Sequence, residues 1–548
     1  MSKNIKLFHL VWQVPYRNLA LGIIAADCLA VLTGCAVPVI QKYLIDSATA
    51  GNRRIIWITL ILMAGLIVTG AVFRTLARWW RGRLSIRCKN RLQSRIFQHI
   101  MHLPEDFLQS RGAGYFFNRI QHDISEVTVF FAHGGMVCYP EILKLFLATG
   151  TVALLNWRYA LLMLPFIAIQ AWLCLIFRPR QLRLARKIQE KTARERHMMQ
   201  EFMTSHKLFK THNSSENAQK RIDSGLSGLA ALIHRKQDHD NLLQIFLQIP
   251  VWLCGGITVL AGMLEVAEKT TSLGQVWAML GLLMLAFAPV RMLGSIFAQS
   301  QAAEAAWQRL QELRTAQVEK SSEINEPIDL TGDIECRNIS FSYSPNRKII
   351  DGLSFVIPYR SGIFITGANG SGKSTLLALL LRLFEPVSGS ILIGGKNISS
   401  MDLPSYRSRI GYIGQQPEFF KGSLRENLTM GNLKCTDEKI LAMFQTLQFH
   451  ELLKRHPQGL DTPVQEQGEN FSGGEKLRLA LVRELLRDTD ILLFDEPAAN
   501  LDQMGRQQFY ALLQQLPGEK TVLAVVHDVP ENCSWQVLQL EGSRRTTA

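Results

Sequence analysis

The first half of the chain is built from long apolar runs separated by charged residues. Four runs carry no charged residue, and each is long enough to cross a membrane as a helix of about 20 residues: 55–73, 159–177, 241–264 and 270–290. Two further runs are interrupted, 19–41 by Asp27 and 133–157 by Glu141 and Lys144. The hydrophobic pattern therefore predicts six membrane-spanning helices.

The pattern changes after residues 314–330, a polar stretch without apolar periodicity. Beyond it, helical stretches alternate with short apolar runs of β-like composition, at 363–366, 410–413, 491–494 and 521–526. Such alternation is typical of an α/β domain with a largely parallel sheet. We therefore predict a membrane all-α domain of six helices at 1–313, a linker at 314–330 and an α/β domain at 331–548.

Charge places these parts relative to the membrane. The net charge of +14 alone would suit a nucleic-acid surface, which is the alternative interpretation. The basic excess, however, is concentrated in the two long connections between predicted spans, around 74–95 and 178–196. Because Lys/Arg excess marks the cytoplasmic side, the long connections and the second domain are predicted to lie in the cytoplasm, and no nucleic acid is expected as a partner.

A glycine-rich stretch, 367-GANGSGKST-375, directly follows the predicted strand 363–366 and precedes a helical run. It fits the P-loop pattern in its required strand–loop–helix context, although a plain glycine-rich turn is the alternative. Backbone N–H groups of the loop would wrap phosphate oxygens, Lys373 would neutralise them and Ser374 would bind Mg²⁺. The predicted nucleotide contacts are Gly367, Asn369, Gly370, Ser371, Gly372, Lys373, Ser374 and Thr375.

Acidic residues follow a second apolar strand. Asp495 comes after 491–494, at a strand end where α/β sheets bind ligands, so it can reach the Mg²⁺. Glu496 is next and is positioned to act as a general base on the attacking water. His527 likewise ends an apolar strand and is predicted to sense the terminal phosphate. A solvated strand end for the acidic pair and a structural role for His527 are the alternatives.

A second glycine segment, Ser472-Gly473-Gly474, leads into another helical run. A helix N-terminus with free N–H groups is also a phosphate cradle. The chain therefore carries two cradles.

Together these motifs resemble an ABC transporter, specifically a half-size exporter in which six spans are fused to one nucleotide-binding domain. By this resemblance, Tyr343 stacks on adenine, and Gln415 contacts Mg²⁺ or water, with Gln416 as a neighbouring competitor. The signature is 471-FSGGE-475, Walker B is 491-ILLFDE-496, and 499-ANLD-502 is the loop that ends in Asp502. The segment 103–127 and a segment near 201–212 resemble cytoplasmic loops that end in short coupling helices.

The resemblance explains the two cradles. It implies that ATP lies between the P-loop of one nucleotide-binding domain and Ser472, Gly473 and Gly474 of another. The partner is a second copy or a paralogous half-transporter, and a homodimer is favoured because Glu496 and His527 are both present. The signature departs from the usual pattern at Phe471 and Glu475, and the charge of Glu475 would weaken ATP binding unless a basic residue such as Lys476 or Arg478 compensates.

The predicted function is ATP- and Mg²⁺-dependent export of an amphipathic substrate, such as a peptide, a drug-like molecule or a lipid, by alternating access in a dimer. The predicted location is a bacterial inner membrane. A membrane-anchored ATPase with a sensor or scaffold role, and an exporter of small thiols of the cytochrome-assembly type, are the alternatives. No residue identifies the substrate. Polar and aromatic positions in the spans are open to both lining and packing roles: Asp27, Glu141, Lys144, Gln244, Gln248, Trp252, Gln275 and Trp277.

Overall fold

The structure is a computed structural model. It describes residues 17–319, 328, 330–344, 347–432, 435–487, 489–499, 501–530 and 535–540, without the side chains of 293–295, 297 and 298. Two compact units divide these residues, one comprising 17–101 and 113–316 and the other 102–112 together with the residues from 317 onward. The predicted linker, 314–330, lies mostly outside the described residues.

The first unit is helical, and within the described residues six helical segments are long and apolar enough to cross a membrane, as predicted. The helices are α1 (Arg17–Thr49), α2 (Arg53–Ile100), α3 (Glu105–Asn118, of which 105–112 belong to the second unit), α4 (Ile124–Val129), α5 (Met136–Leu155), α6 (Trp157–Thr204), α7 (His206–Thr211), α8 (Ser215–Ala267) and α9 (Leu273–Thr315). Two π-helical turns, Arg119–Asp123 and Phe130–Gly135, join α3, α4 and α5 into one continuous span.

Helix length shows how the long connections are built. Helices α2 and α6 each contain 48 residues, which corresponds to about 72 Å at 1.5 Å per residue. A membrane core is only about 30 Å thick, so the basic connections continue the spans as helices. A short helix at His206–Thr211 lies where the second coupling segment was predicted. Gly112, with φ at 70°, bends the first predicted segment within 111–114.

Local sequence explains where the long helices begin. Asn52 caps α2 by accepting from the Ile55 N–H at 3.3 Å, and Asn156 caps α6 by accepting from the Arg158 N–H at 3.1 Å. Ser272 caps α9 in the same way. Each cap satisfies a backbone donor that has no partner inside its helix.

Charged and polar residues of the spans mostly bond within the helix bundle. Asp27 pairs with Arg81 of the neighbouring helix at 3.3 Å, which supports the helix-bonding role over the cavity-lining role. Lys144 pairs with Glu141 one turn away at 2.8 Å, and Gln275 donates to the Leu155 carbonyl at 2.8 Å. These contacts spare buried polar groups the cost of lying unpaired in an apolar environment.

The second unit contains the predicted α/β domain. Its strands are β1 (Ile334–Ser344), β2 (Arg347–Ile357), β3 (Gly362–Gly367), β4 (Ser388–Ile393), β5 (Lys396–Asn397), β6 (Ile410–Ile413), β7 (Gly422–Ser423), β8 (Pro463–Val464), β9 (Ile491–Asp495), β10 (Thr521–Val525) and β11 (Gln536–Leu540). Its helices are α10 (Lys373–Leu380), α11 (Leu403–Ser408), α12 (Leu424–Thr429), α13 (Asp437–Thr446), α14 (His450–Lys454), α15 (Gly473–Leu486) and α16 (Gln503–Leu513).

The central sheet is parallel, in the order β11-β3-β10-β9-β6, as the sequence predicted. An antiparallel sheet, β2-β1-β4-β5, lies beside it and was not foreseen. The residues of β9 are all buried, yet they alternate between two apolar cores: Leu492 and Phe494 belong to one, Ile491 and Leu493 to the other. Helices cover both faces, which explains why the strand reads as an unbroken apolar run.

Candidate functional site

The loop 367–375 connects β3 to α10, and its backbone is shaped for close approach of a ligand. Gly370 and Gly372 have φ at 80° and 97°, a region that side chains disfavour, and a Cβ on Gly370 would meet only open space. The Ser371 hydroxyl is buried and has no hydrogen-bond partner within the described part of the chain. An orphaned donor beside exposed loop N–H groups fits an anionic ligand such as a phosphate.

Lys373 reaches back over this loop. It is 6% exposed, and its Nζ donates to the carbonyls of Gly367 at 2.8 Å and Ala368 at 3.2 Å. The ammonium group is thereby held over the loop, where it can exchange these carbonyls for phosphate oxygens. The side chains of Asn369 and Thr375 flank the same loop, and Thr375 lies 3.2 Å from the Tyr343 hydroxyl.

Ser374 and Asp495 meet at the carboxyl end of the central sheet. The Ser374 hydroxyl donates to the Asp495 carboxylate at 3.1 Å. Burial raises the pKa of Asp495 above its usual value, and the neighbouring Glu496 adds to the rise, whereas Ser374 and Lys373 oppose it. Such a carboxylate gains from a nearby cation, because the cation offsets the cost of burying the charge.

Glu496 follows directly and has a strained backbone, with φ at 46°. The Gln415 amide donates to its carboxylate at 3.2 Å, so the structure brings together Gln415, Glu496, Asp495 and Ser374. Positive φ at a non-glycine residue costs energy and is concentrated at functional sites. The contact falls on Gln415, whereas Gln416 has no such bond within the described residues.

Within the described residues, His527 makes no hydrogen bond to this cluster, but it lines the same groove as Glu496. Its side chain is 76% exposed, and its Nδ1 lies 3.4 Å from the Asp528 carboxylate. His527 and Glu496 both line a groove of about 750 Å³ that runs along α16. Asp502 begins that helix by accepting from the Gly505 N–H at 2.9 Å, and Asn500 lies outside the described residues.

Tyr343 presents a ring beside the P-loop. The side chain is 55% exposed and stands edge-on to Phe341 and Phe384, with ring centroids 4.9 Å and 5.2 Å away. The two neighbours fix its orientation while leaving one face open, which suits stacking against a flat base.

The second glycine segment begins α15. Ser472 is the N-cap, Gly473 and Gly474 form the first turn, and Phe471 is buried beneath, 4% exposed, with its ring against His456. The Ser472 N–H and hydroxyl both donate to the Glu475 carboxylate at 2.9 Å. The basic partner of Glu475 is Arg455, at 3.8 Å, and not Lys476 or Arg478. None of these partners belongs to the P-loop.

Family models match both halves of the chain. The ABC transporter transmembrane region matches residues 20–290, and the ABC transporter domain matches residues 350–499, which contain the P-loop, the signature segment and Asp495. This chain belongs to the ABC transporter family.

Relatives of this ABC transporter align over most of its length. A multidrug resistance ABC transporter ATP-binding and permease protein of Lactococcus lactis subsp. lactis is 26% identical over 85% of this chain and 79% of its own. An ATP-dependent lipid A-core flippase of Methylococcus capsulatus is 26% identical over 96% of this chain and 88% of its own. A solved bacterial Atm1-family ABC exporter with ATP bound shares the fold, with a TM-score of 0.83 at 22% identity, over 96% of this chain and 94% of its own.

These findings agree with the architecture that the sequence predicted. The ABC transporter is an integral, multi-pass protein of the bacterial inner membrane, with six spanning helices followed by an ATP-binding domain. It hydrolyses ATP to drive export.

A further feature of the ATP-binding domain that the sequence did not predict is the α11 tie, which we define as residues 406–408. The Tyr406 hydroxyl donates to the Leu380 carbonyl at 2.7 Å, and Arg407 donates to the Leu381 carbonyl at 3.0 Å, both at the end of α10. The Arg407 carbonyl in turn accepts from Arg487, at the end of α15, at 2.8 Å. The helices behind both cradles therefore end on one short segment, a juxtaposition that no local pattern announces.

Proposed function

We propose that two copies of this chain assemble and bind ATP with Mg²⁺ at the seam between them, with the P-loop of one copy facing the signature segment of the other. The observation that carries the proposal is that no bond joins the two cradles within the described part of the chain. Ser472 to Glu475 bond among themselves and with Arg455. A second chain supplies the missing half of each pocket.

The residues around Asp495 suit Mg²⁺. This ion takes oxygen ligands, usually one or two carboxylates or hydroxyls together with phosphate oxygens and water. Ser374 and Asp495 would hold the ion through a hydroxyl and a buried carboxylate that lie 3.1 Å apart, and the Gln415 amide oxygen would be a third ligand. When bound, the ion neutralises charge on the terminal phosphates.

Hydrolysis is assigned to the neighbouring side chains. Glu496 accepts a proton from the attacking water, and the Gln415 amide holds the carboxylate in place. His527, which lines the same groove as Glu496, donates to the terminal phosphate. Because Glu496 and His527 are both present, each chain carries a full catalytic set, which favours a homodimer over a pairing with a paralogue.

The substrate is assigned to the membrane half. A cavity of about 770 Å³ lies among α5, α6, α8 and α9, within the range of drug-sized ligand sites. Most of its lining is aliphatic, and polar side chains cluster towards the cytoplasmic ends of the spans: Arg178, Gln181, Lys236, Asp240, Arg291 and Gln299. None of the polar and aromatic span residues singled out in the sequence lines this cavity.

The charges of that cluster favour an anionic amphiphile. Asp240 is bound by Lys236 at 3.1 Å and by Gln181 at 2.9 Å. Its charge is therefore balanced, and the described residues that line the cavity include two further basic side chains, Arg178 and Arg291, and no further acidic one. An apolar body within the membrane and an acidic group at its cytoplasmic face match this arrangement, and one relative is named as a lipid A-core flippase.

A mixed-dimer experiment tests the composite pocket. Chains carrying Lys373→Ala and chains carrying Ser472→Arg each spoil both pockets of a homodimer. When they are combined, one pocket of a mixed dimer carries both defects and the other carries none. Mixing equal amounts makes half of the dimers mixed, so about a quarter of the wild-type ATP retention is expected to return. Retention that stays at the level of the separate variants would contradict the composite pocket.

Reconstitution tests export and the substrate class. Vesicles containing the protein and a fluorescent phosphatidylglycerol are expected to move the lipid across the bilayer with ATP, faster than the matched phosphatidylcholine. Glu496→Gln should stop the movement, and Arg291→Gln should remove the preference for the acidic lipid. Arg183→Gln, an exposed position on the same face of the membrane, is the matched control. Transport that survives Glu496→Gln would refute ATP-driven export, whereas equal rates for both lipids would refute only the anionic class.

A further inference from the structure

The signature segment carries its own anion. A single oxygen of the Glu475 carboxylate accepts from both the N–H and the hydroxyl of Ser472, each at 2.9 Å. The Ser472 hydroxyl also accepts from the Glu475 N–H at 3.3 Å, which completes a capping box. Both Ser472 donors that an arriving phosphate would use are therefore already bound to a negative charge.

A second capping box in the same domain shows that this arrangement exceeds what capping requires. At α12, the Ser423 N–H donates to Glu426 at 2.8 Å, and the Ser423 hydroxyl accepts from the Glu426 N–H at 3.1 Å. There the serine hydroxyl does not donate to the carboxylate within the described residues. In the signature segment the carboxylate takes both donors of its serine.

The charge of Glu475 is only weakly balanced. Its side chain is 18% exposed, and its second oxygen lies 3.8 Å from Arg455, whose side chain is 73% exposed. A pair with so exposed a partner is screened by water and contributes little. The carboxylate therefore keeps most of its negative field at the mouth of the helix, where the terminal phosphate of ATP must arrive.

We propose that Glu475 is an internal competitor for the terminal phosphate of ATP. Its carboxylate holds the Ser472 donors while the signature segment is disengaged, and it must release them before the segment grips a nucleotide bound to the partner. Closing the pocket then costs the exchange of one anion for another, together with repulsion between the two. Glu475 thus sets the ATP concentration at which the two nucleotide-binding domains close.

This inference rests on the proposed composite pocket, and the test separates the two. Glu475→Gln keeps the capping box, because glutamine caps as glutamate does, but it removes the charge. ATP hydrolysis by the full-length protein in nanodiscs is measured against ATP concentration. The concentration for half-maximal rate is expected to fall roughly three- to tenfold, since charge-assisted hydrogen bonds are about twice as strong as neutral ones.

Glu426→Gln is the matched control. It makes the same change in the other capping box, and the half-maximal concentration should stay at the wild-type value. The unfolding temperature of both variants should also match the wild type, which excludes a loss of helix stability as the cause. An unchanged or higher half-maximal concentration for Glu475→Gln would overturn the inference, as would an equal fall for Glu426→Gln.

Ser472→Ala distinguishes the two possible failures. If Ser472→Ala raises the half-maximal concentration while Glu475→Gln leaves it unchanged, the composite pocket stands and the competitor role fails. If neither variant changes it, the signature segment does not grip nucleotide, and both proposals fail.

Discussion

The two phosphate cradles of the ATP-binding domain use the same element, a helix N-terminus, but they are built in different ways. At α10, glycines with positive φ shape the loop, the buried Lys373 bonds to the loop carbonyls, and the Asp495 carboxylate accepts a hydrogen bond from Ser374. At α15, the turn is ordinary helix, and its own Glu475 accepts from both the N–H and the hydroxyl of Ser472. One cradle is preformed and cationic, whereas the other is self-capped.

If the proposed composite pocket is correct, this difference keeps one chain from closing on its own. The preformed cationic loop would bind nucleotide within a single chain, and catalysis would need the groups around it. A self-capped cradle gains from a phosphate only when a second surface delivers that phosphate in the right orientation. In the proposed dimer, the α15 cradle therefore engages nucleotide only when two chains assemble, after the α10 cradle has bound it.

The largest expected effect separates ATP hydrolysis from ATP retention by the dimer. Glu496→Gln removes the proposed base and leaves both cradles intact. ATP hydrolysis is expected to fall by about 10²–10⁴-fold, while ATP retention by the dimer stays at the wild-type level or above it. Glu438→Gln, at an exposed position on α13, is the control and should hydrolyse normally. Loss of ATP retention in Glu496→Gln would show that this residue acts in nucleotide binding rather than in hydrolysis.

A second substitution tests whether the α10 cradle is preformed by backbone shape. Gly370→Ala forces a side chain into a conformation with φ at 80°, at a cost of roughly 1–2 kcal/mol. The unfolding temperature should fall, and ATP binding should be largely lost.

Gly395→Ala is the matched control for that strain. Gly395 has φ at 77° and open space around it, but it lies between β4 and β5, away from the nucleotide. The two variants should lose similar stability, and only Gly370→Ala should lose ATP binding. Normal ATP binding by Gly370→Ala would show that the shape of the loop is not essential.

The smallest effect concerns the far end of α10. Arg407 bonds to Glu319 through two contacts of 2.8 Å while also donating to the Leu381 carbonyl. Glu319→Gln should cost less than about 1 kcal/mol of unfolding free energy, because the pair is partly exposed. ATP affinity should not change, since Arg407 keeps its bonds to α10. A clear loss of ATP affinity would mean that the α10 cradle depends on more than its own loop.

The α10 cradle was largely predictable because its chemistry is local. Gly367 to Thr375 form one continuous motif, and Asp495 follows an apolar strand whose end must face the ligand. Arg455 and the α11 tie were missed because their partners lie far away in sequence. The antiparallel sheet was missed for a related reason. Its strand β1 pairs with both β2 and β4, has irregular register, and does not alternate cleanly between apolar and polar residues.

The membrane half shows the same limit. Runs of apolar residues identified the spans, because the bilayer imposes length and composition on each helix separately. The pairing of Asp27 with Arg81 and the cavity at Arg291 depend on which helices are neighbours. Hydrophobic periodicity does not encode that choice.

The α11 tie has a mechanical consequence. The helices behind the P-loop and the signature segment both end on residues 406–408. We therefore expect a displacement of the N-terminus of α10 to be transmitted to the N-terminus of α15. In the proposed dimer, each chain would hold one nucleotide at its P-loop and the second nucleotide at its signature segment. We expect nucleotide occupancy at one site to affect the other site through the α11 tie, without any signal passing through the membrane.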